Sequence, residues 1–502
     1  MTVEAGRIYP SSSPTAGSSP TYGIKRILLV IPPAPAMAQW SPELAVAYLA
    51  GSLRSLAPYG IRYEIEVLDC INRNYSVSDF RDFIYEREPF DIVGFKIFSL
   101  HLASAAECIK HVKQRSPETI TLAGGPHVSV LAPEEVMEDL PDLDYGIAGE
   151  AIRSFPMFVR NIASGKPGKE EVFGLIWRDG ERIFHNEPDF EVDMDFHGLP
   201  DWSLVKPGDY SSREPYSFYT TGWPVAHIVS SRGCPFRCSF CSSFKFLGRK
   251  VRFRKIDNII KEMKMLVGEY GVRSIEFVDD NFLTNREYTA ELCRRIIDEK
   301  IEVEWSCPQG LHLNGVDAET ISLMYKAGCR YIAVGIESGS DRILKKVGKG
   351  LTREKIMRQI GIVKENTKIK ILGFFIIGFP TETEEEMEET VRFATELPID
   401  LASFSVYVFL PGTSDSEELL REHPEYWNVI RNLPNLYQWS EHKAVEGTSP
   451  MHSLPVRKLN AIKQKAHRRF FLRPKVIMKI MMELNSIMKL KIMLRWLRVH
   501  FF

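Results

Sequence analysis

The sequence predicts an α/β protein: a doubly wound parallel sheet, then a partial barrel of six β/α units, then a helical carboxyl-terminal tail. Three observations predict it. Short β-branched apolar runs alternate with helical patterns from residue 24 to about 165, and the alternation starts again near Ala226. The chain has 502 residues, room for about two to four domains of roughly 100–200 residues each. Its composition, 44% hydrophobic and 26% charged, is that of a globular enzyme and excludes a collagen-like, coiled-coil or wholly disordered chain.

Residues 1–22 are rich in Ser, Pro, Gly and Thr and lack the apolar core of a signal peptide, so they read as a disordered leader. Residues 23–165 form the first domain. Its first strand is Ile27-Leu28-Leu29-Val30-Ile31, a buried parallel strand by composition, stopped by Pro32-Pro33. Leu44, Tyr48, Leu49 and Leu53 have helical spacing. Further strands follow at Ile65–Leu68, Asp91–Phe95, Thr119–Gly125 and Tyr145–Glu150. Ligands of such sheets bind beyond the carboxyl ends of the strands. Residues 166–225, with several Pro, Gly and Asp, read as a short sheet extension and a linker. In the second domain, 226–425, strands are expected at 226–230, 274–278, 301–306, 331–336, 371–377 and 403–409, with helices such as Lys255–Tyr270 and Arg286–Glu299 between them. A barrel of this kind carries its chemistry at the strand carboxyl ends.

Residues 426–502 are the tail. From Arg457 to Arg498 there are 13 Lys or Arg and one acid, Glu483. Leu, Met and Trp are interleaved with them, a pattern that fits a peripheral membrane helix and equally a helix packed on the body. Over the whole chain 64 basic residues face 65 acidic ones, so the remainder is net acidic and the neutral total hides an asymmetry; the balance gives no general case for nucleic-acid binding. No apolar run reaches membrane-spanning length. Eight cysteines are too few for a disulfide scaffold and fit a reducing cytoplasm.

Three of those cysteines, Cys234, Cys238 and Cys241, fall at C-x3-C-x2-C right after the first strand of the second series. Thiolates so close can face one centre. A closed zinc site wants four ligands, and no fourth cysteine is near; zinc with a distant fourth ligand stays open. An iron–sulfur cluster on three thiolates leaves one iron free for a substrate or cofactor. Cys70, Cys108, Cys293, Cys307 and Cys329 are isolated and read as small buried apolar residues.

The spacing, with aromatic Phe240 before the last cysteine, resembles the signature of the radical S-adenosylmethionine (SAM) superfamily. The resemblance implies a [4Fe-4S] cluster on the three cysteines, SAM on its open iron, and an external electron donor such as flavodoxin or ferredoxin. It extends to Phe277-Val278-Asp279-Asp280-Asn281, where the family meets the SAM amino group. It also covers Gly335-Ile336-Glu337-Ser338-Gly339, at the ribose, and Gly373 to Glu382, with Gly378 and Pro380 near the adenine.

Residues 24–165 resemble the cobalamin-binding, Rossmann-like domain fused to one subclass of that superfamily, through Pro32-Pro33, Ser99, Gly124-Gly125-Pro126-His127 and Gly149-Glu150. The cobalt-ligating Asp-x-His-x-x-Gly of many cobalamin proteins is absent. Asp195-Phe196-His197 starts like it, but Pro200 stands where glycine should be. His127 and His101 are the candidates for a lower cobalt ligand, against a purely structural role for each. The whole resembles a cobalamin-dependent methyltransferase that moves a methyl group to an unactivated carbon of a small molecule, with lipid-like or porphyrin-like substrates in view. A ring-forming cyclase of the anaerobic magnesium-protoporphyrin ester type is the alternative. It is suggested by Cys307-Pro308-Gln309-Gly310 and Phe470 to Pro474, although His312 stands where many of that group carry Arg. A non-catalytic corrinoid sensor is the alternative of another class.

Overall fold

Strand β1 (Lys25–Ile31) is apolar from Ile27 onward because both of its faces are covered. Ile27, Leu29 and Ile31 pack with helices Leu44–Ser55 and Ala151–Ala163, while Leu28 and Val30 pack with Val77–Tyr85 and Leu102–Arg115. A two-faced strand cannot alternate polar with apolar residues. The computed structural model describes residues 25–34, 43–55, 62–165, 168–190, 193–210, 222–431 and 454–483. The expected leader 1–22 and the last part of the tail lie outside them.

β2 (Tyr63–Asp69), β3 (Ile92–Lys96), β4 (Ile120–Gly124) and β5 (Tyr145–Ile147) join β1 in parallel, in the order 2-1-3-4-5. The chain switches direction across the sheet between β1 and β3, the crevice where doubly wound sheets hold ligands. β6 (Leu175–Asp179) and β7 (Arg182–His185) extend the sheet as antiparallel strands, so the early part of 166–225 is a hairpin on the first sheet.

The second sheet runs β8 (Val225–Ile228), β11 (Ser274–Phe277), β12 (Glu304–Leu311), β13 (Cys329–Glu337), β14 (Lys370–Ile377) and β15 (Leu401–Val406), all parallel and in sequence order, with β8 and β15 as open edges. This is the expected partial barrel. Between β8 and β11, the short strands β9 (Ser231–Arg232) and β10 (Arg252–Phe253) pair antiparallel. Two strands sit away from their expected places. β12 was expected at 301–306 and instead runs through Pro308 and Gly310, since a bulge against β13 between Cys307 and Leu311 absorbs residues that ordinarily break a strand. β15 begins at Leu401 and ends at Val406, not at Phe409, because Tyr407 and Phe409 leave the sheet to join a separate aromatic cluster.

The described part of the tail packs on the body. Helix Val456–Phe471 buries Leu459, Ile462, Ala466 and Phe470, and Lys458 and Lys465 pair with Glu384 and Glu388 of the neighbouring helix. Helix Pro474–Glu483 leaves Met478, Met481 and Met482 exposed. No helix among the described residues is long and apolar enough to cross a membrane.

The segment before the barrel is fixed by a buried polar knot. Glu262 accepts from Trp202 Nε1 at 2.9 Å and from Arg254 Nη1 at 2.6 Å, with both ion-pair side chains fully buried. Asp195 completes it, 3.5 Å from Arg254 Nε, so the would-be Asp-x-His pattern serves as a structural tether, with His197 buried. Removing one partner of a buried ion pair leaves the other charge uncompensated and costs about 3–5 kcal/mol. Glu262→Ala is expected to lower stability by that much, and Glu262→Gln by less. Urea unfolding followed by circular dichroism checks it; an unchanged midpoint for Glu262→Ala would contradict the knot.

Candidate active site at the barrel mouth

The cysteine loop leaves β9 through Gly233, whose φ is +96° and whose added Cβ would lie 2.5 Å from the Lys250 carbonyl. Glycine alone makes that turn. The Cys234 N–H donates to Gly248 O at 3.2 Å, the Ser239 N–H to Val347 O at 3.1 Å, and Cys241 Sγ lies 3.2 Å from Ser243 Oγ. All three cysteines are free thiols and half-buried. Burial pushes the Cys238 thiol up to about 11, with Lys349 pulling the other way. Among the described residues no three His, Cys, Asp or Glu side chains gather tightly enough for a single metal ion. Three thiols on one short loop could each meet a separate iron of a cluster, and metal binding displaces their protons. The other five cysteines are buried, as expected.

The acids of the second strand end divide into two roles. Asp279 is buried and accepts from the backbone N–H and hydroxyl of Ser230, at 3.0 and 2.6 Å, and from the same two groups of Ser231. A carboxylate has about four acceptor positions, so Asp279 is spent on tethering the cysteine loop. Of the two acids expected at SAM, Asp279 is thus the one engaged within the chain. Asp280 is less committed: burial and the Asp279 charge raise it to about 6, and the Gly233 N–H donates to it.

At the end of β13, Glu337 has φ +68°, strained for a residue with a side chain, and pairs with Lys349 Nζ at 2.8 Å. The pair folds over Gly335, where a Cβ would lie 2.6 Å from Glu337 Oε1 and 2.7 Å from Lys349 Nζ. Ser338 is fully buried, 3.1 Å from Thr390 Oγ1, and accepts from Ser340 N–H, so its hydroxyl is engaged within the chain. Burial works against the Lys349 charge, but Glu337 and the nearby cysteines outweigh it and hold its proton more tightly than usual.

His312 ties these parts together. Its Nε2 faces Lys349 O at 2.7 Å, and Asn314 N–H donates to its Nδ1 at 3.3 Å, which assigns the proton to Nε2. Its backbone N–H donates to Asn281. Phe236, inside the cysteine motif, stacks on its ring at 3.7 Å and 7°. Burial and the Lys349 charge lower it to about 4, so it is neutral. On the far side, Asp415 accepts from Ser239 Oγ at 3.0 Å and from Tyr407 OH at 2.7 Å. Phe240 lies 5.7 Å from Phe379. Gly378 has φ +86° and a Cβ there would meet Leu459 at 2.9 Å, so the carboxyl-terminal helix takes that space. Glu382, raised by burial to about 7, accepts from the Gly378 and Phe379 N–H groups and fixes the turn before Pro380.

Lys349, Asp415 and Tyr407 carry no signal of this kind in the sequence. Lys349 is one lysine among several, and the signal that marks it is its bracket, Gly348 at φ +68° and Gly350 at φ +65°, which turns it inward.

A cavity of about 330 Å³ opens beyond the carboxyl ends of β1, β3 and β4. Leu29, Gly94, Tyr48 and Gly124–Pro126 line it from the first domain, and Val229, Arg232 and Leu247 from the second. The walls are almost wholly apolar, apart from Lys96, Glu150 and Arg232, which suits the apolar face of a ligand. Gly125 serves the turn itself, since a Cβ there would lie 2.8 Å from Ile97 O. Ser99, expected at the cofactor, is buried against His127 Nδ1 at 2.9 Å and does not border the cavity. His127, fully buried, also lies 3.4 Å from Asp139, and His101 is buried beside Phe98. Neither borders the cavity, so neither reaches a cobalt there.

Residues 228–394 match the model of the radical SAM superfamily, and residues 38–158 that of the B12 binding domain. An uncharacterized methyltransferase of Pyrococcus horikoshii is 29% identical over 95% of this chain and 99% of its own length. Cytidylyl-2-hydroxyethylphosphonate methyltransferase of Streptomyces wedmorensis is 27% identical over 85% of this chain and 89% of its own. The structure of the radical SAM methyltransferase TsrM from Kitasatospora setae, with cobalamin and a [4Fe-4S] cluster bound, shares the fold at a TM-score of 0.66 and 16% identity, covering 90% of this chain and 86% of that one. The chain thus carries a radical SAM domain with a B12-binding domain ahead of it, and the cofactors of these two domains are a [4Fe-4S] cluster, SAM and cobalamin.

Proposed function

We propose that this enzyme moves a methyl group from SAM, by way of cobalamin, to an unactivated carbon of a small molecule. One observation carries the reading: the wall of the apolar cavity and the cysteine loop are one stretch of chain. Val229 and Arg232 line the cavity, and Cys234 follows two residues later. When bound, the three cofactors supply a radical that removes a substrate hydrogen and a methyl group that replaces it. The chain's own work is to hold, orient and keep dry.

Cys234, Cys238 and Cys241 hold the cluster. Asp280 and Glu337 would offer acceptors to the ammonium and hydroxyl groups of SAM, and Phe240, Gly378 and Pro380 would hold its adenine. His312 keeps Phe236, and so the cysteine loop, in register with Lys349. Gly124, Gly125 and Pro126, on the cavity wall, would border the corrin. An external one-electron donor of the flavodoxin or ferredoxin kind completes the system. A lipid-like or porphyrin-like substrate, and peripheral membrane contact of a cytoplasmic enzyme, rest on exposed Met478, Met481 and Met482.

Cys238→Ala is expected to bind less iron after anaerobic reconstitution and to form no 5′-deoxyadenosine; undiminished formation would refute the cluster assignment. With wild-type enzyme, the expected product is heavier than the substrate by one methyl, whereas a new ring with no mass gained from SAM would establish cyclisation. Ala45 is exposed on the cavity wall. Ala45→Trp should fill the space and abolish cobalt retention while iron content holds; equal cobalt in parent and variant would move cobalamin elsewhere.

A further inference from the structure

One ammonium group is buried at the barrel mouth. Lys349 is 7% exposed, and its Nζ donates to Glu337 Oε1 at 2.8 Å. An ammonium has three N–H donors. Glu337 takes one, and no other acceptor among the described residues lies within hydrogen-bond distance of Nζ. A buried cation with donors to spare is costly unless something negative faces it. Gly335 leaves the room that the pair occupies, since a Cβ there would lie 2.7 Å from Nζ.

The turn that carries Lys349 is fixed to the cysteine loop at three places. Val347 O accepts from the Ser239 N–H at 3.1 Å, and a Cβ on Gly348 would lie 3.0 Å from Arg237 O. Lys349 O faces His312 Nε2 at 2.7 Å, and Phe236 stacks on that imidazole. Loop and turn are thus one unit, which sets where the ammonium sits relative to the thiols. Burial raises the Cys238 thiol, and of the charges that act on it Lys349 is the largest and opposes burial, ahead of Glu337. Burial also raises Cys234, where Lys349 opposes Asp280. His312, beside the same turn, is neutral.

A cluster that takes up one electron becomes more negative by one charge. A cation held at a fixed place in a dry interior favours the more negative state, and local charge is one of the levers on cluster potential. We propose that the Lys349 ammonium sets the reduction potential of the cluster, raising it toward that of the electron donor, with Glu337 as the opposing charge that limits the rise. The donor, a reduced flavin or iron–sulfur centre, loses one electron and the cluster gains it. Lys349 keeps its proton, and no bond forms or breaks. The inference rests on the radical SAM reading of the same site and adds to it a residue and its task.

The test is an anaerobic redox titration of the reconstituted full-length enzyme without SAM. It follows the electron paramagnetic resonance signal of the reduced cluster, with iron per chain measured alongside. Lys349→Met keeps the length of the side chain and removes its charge. Its midpoint is expected to fall by about 59 mV or more, a tenfold or larger change in a one-electron equilibrium constant. Lys349→Arg keeps the charge and should stay nearer the parent; a fall equal to that of Lys349→Met overturns a role through charge. Glu337→Gln should move the midpoint upward. A merely disturbed loop would lose iron or move both variants the same way, whereas opposite shifts follow from charge. An unchanged or higher midpoint in Lys349→Met, or an unchanged or lower one in Glu337→Gln, overturns the proposal. If Lys349→Met retains no iron, the direction found for Glu337→Gln decides it. A Lys349→Met enzyme with the parent midpoint but weaker SAM binding would make the lysine a partner of the SAM carboxylate and likewise overturn the proposal. A parent that builds no reducible cluster ends the radical SAM reading itself, a result distinct from failure of the Lys349 assignment.

Discussion

The Asp279 carboxylate, buried at the end of β11 and occupied by Ser230 and Ser231, is the constraint from which the site follows. Four donors converging on one carboxylate fix the chain where it leaves β8, three residues before the first cluster cysteine. A loop anchored only at its ends would leave three thiolates wandering, and a cluster needs all three at once. The remaining restraints act on the same loop from the end of β12 and from helix ends: Phe236 on His312, Ser239 on Val347 and Asp415, and Cys234 on Gly248. The barrel thus spends strand and helix termini on holding a loop.

The two halves of the molecule meet through charge as well as apolar contact. Glu150, which follows β5, pairs with Arg252 of β10 and faces Arg232 of β9 at 3.5 Å, all with little solvent access. Arg431 reaches Asp139 at 2.6 Å on the far side. Buried pairs of this sort contribute little net stability, but their geometry is specific. Here they set how the first sheet faces the barrel, and the apolar cavity is the space left between. Its shape depends on Glu150 and Arg232 as much as on the residues of its walls.

Much of this was legible in the sequence, for a physical reason. Parallel strands covered on both faces are apolar runs, so β1 to β5 and the six barrel strands stood out, and a C-x3-C-x2-C loop after a strand has few other uses. The less legible parts depended on which oxygen faces which hydrogen. Asp279 and Asp280 are adjacent and chemically alike, yet one is consumed by backbone and the other is not. Ser338 sat in the right motif but turns into the core towards Thr390. β12 ran past its expected end because a bulge tolerates Pro308 and Gly310, and single-strand patterns do not show bulges. Lys349 was hidden because burial of a lysine is set by the turn that carries it.

The arrangement also resolves a conflict between two demands on one loop. Radical chemistry asks for a dry interior, while delivery of an electron from outside asks for a loop that reaches the surface. Alternation along the motif meets both: cysteines turn in toward Lys349 and Glu337, and Pro235 and Arg237 turn out. Phe236 lies between, its ring closed against neutral His312. A charged imidazole stacked there would draw water toward the thiolates. Burial beside the Lys349 charge keeps the ring neutral, so the electrostatics that seat an anionic cluster also seal the loop above it.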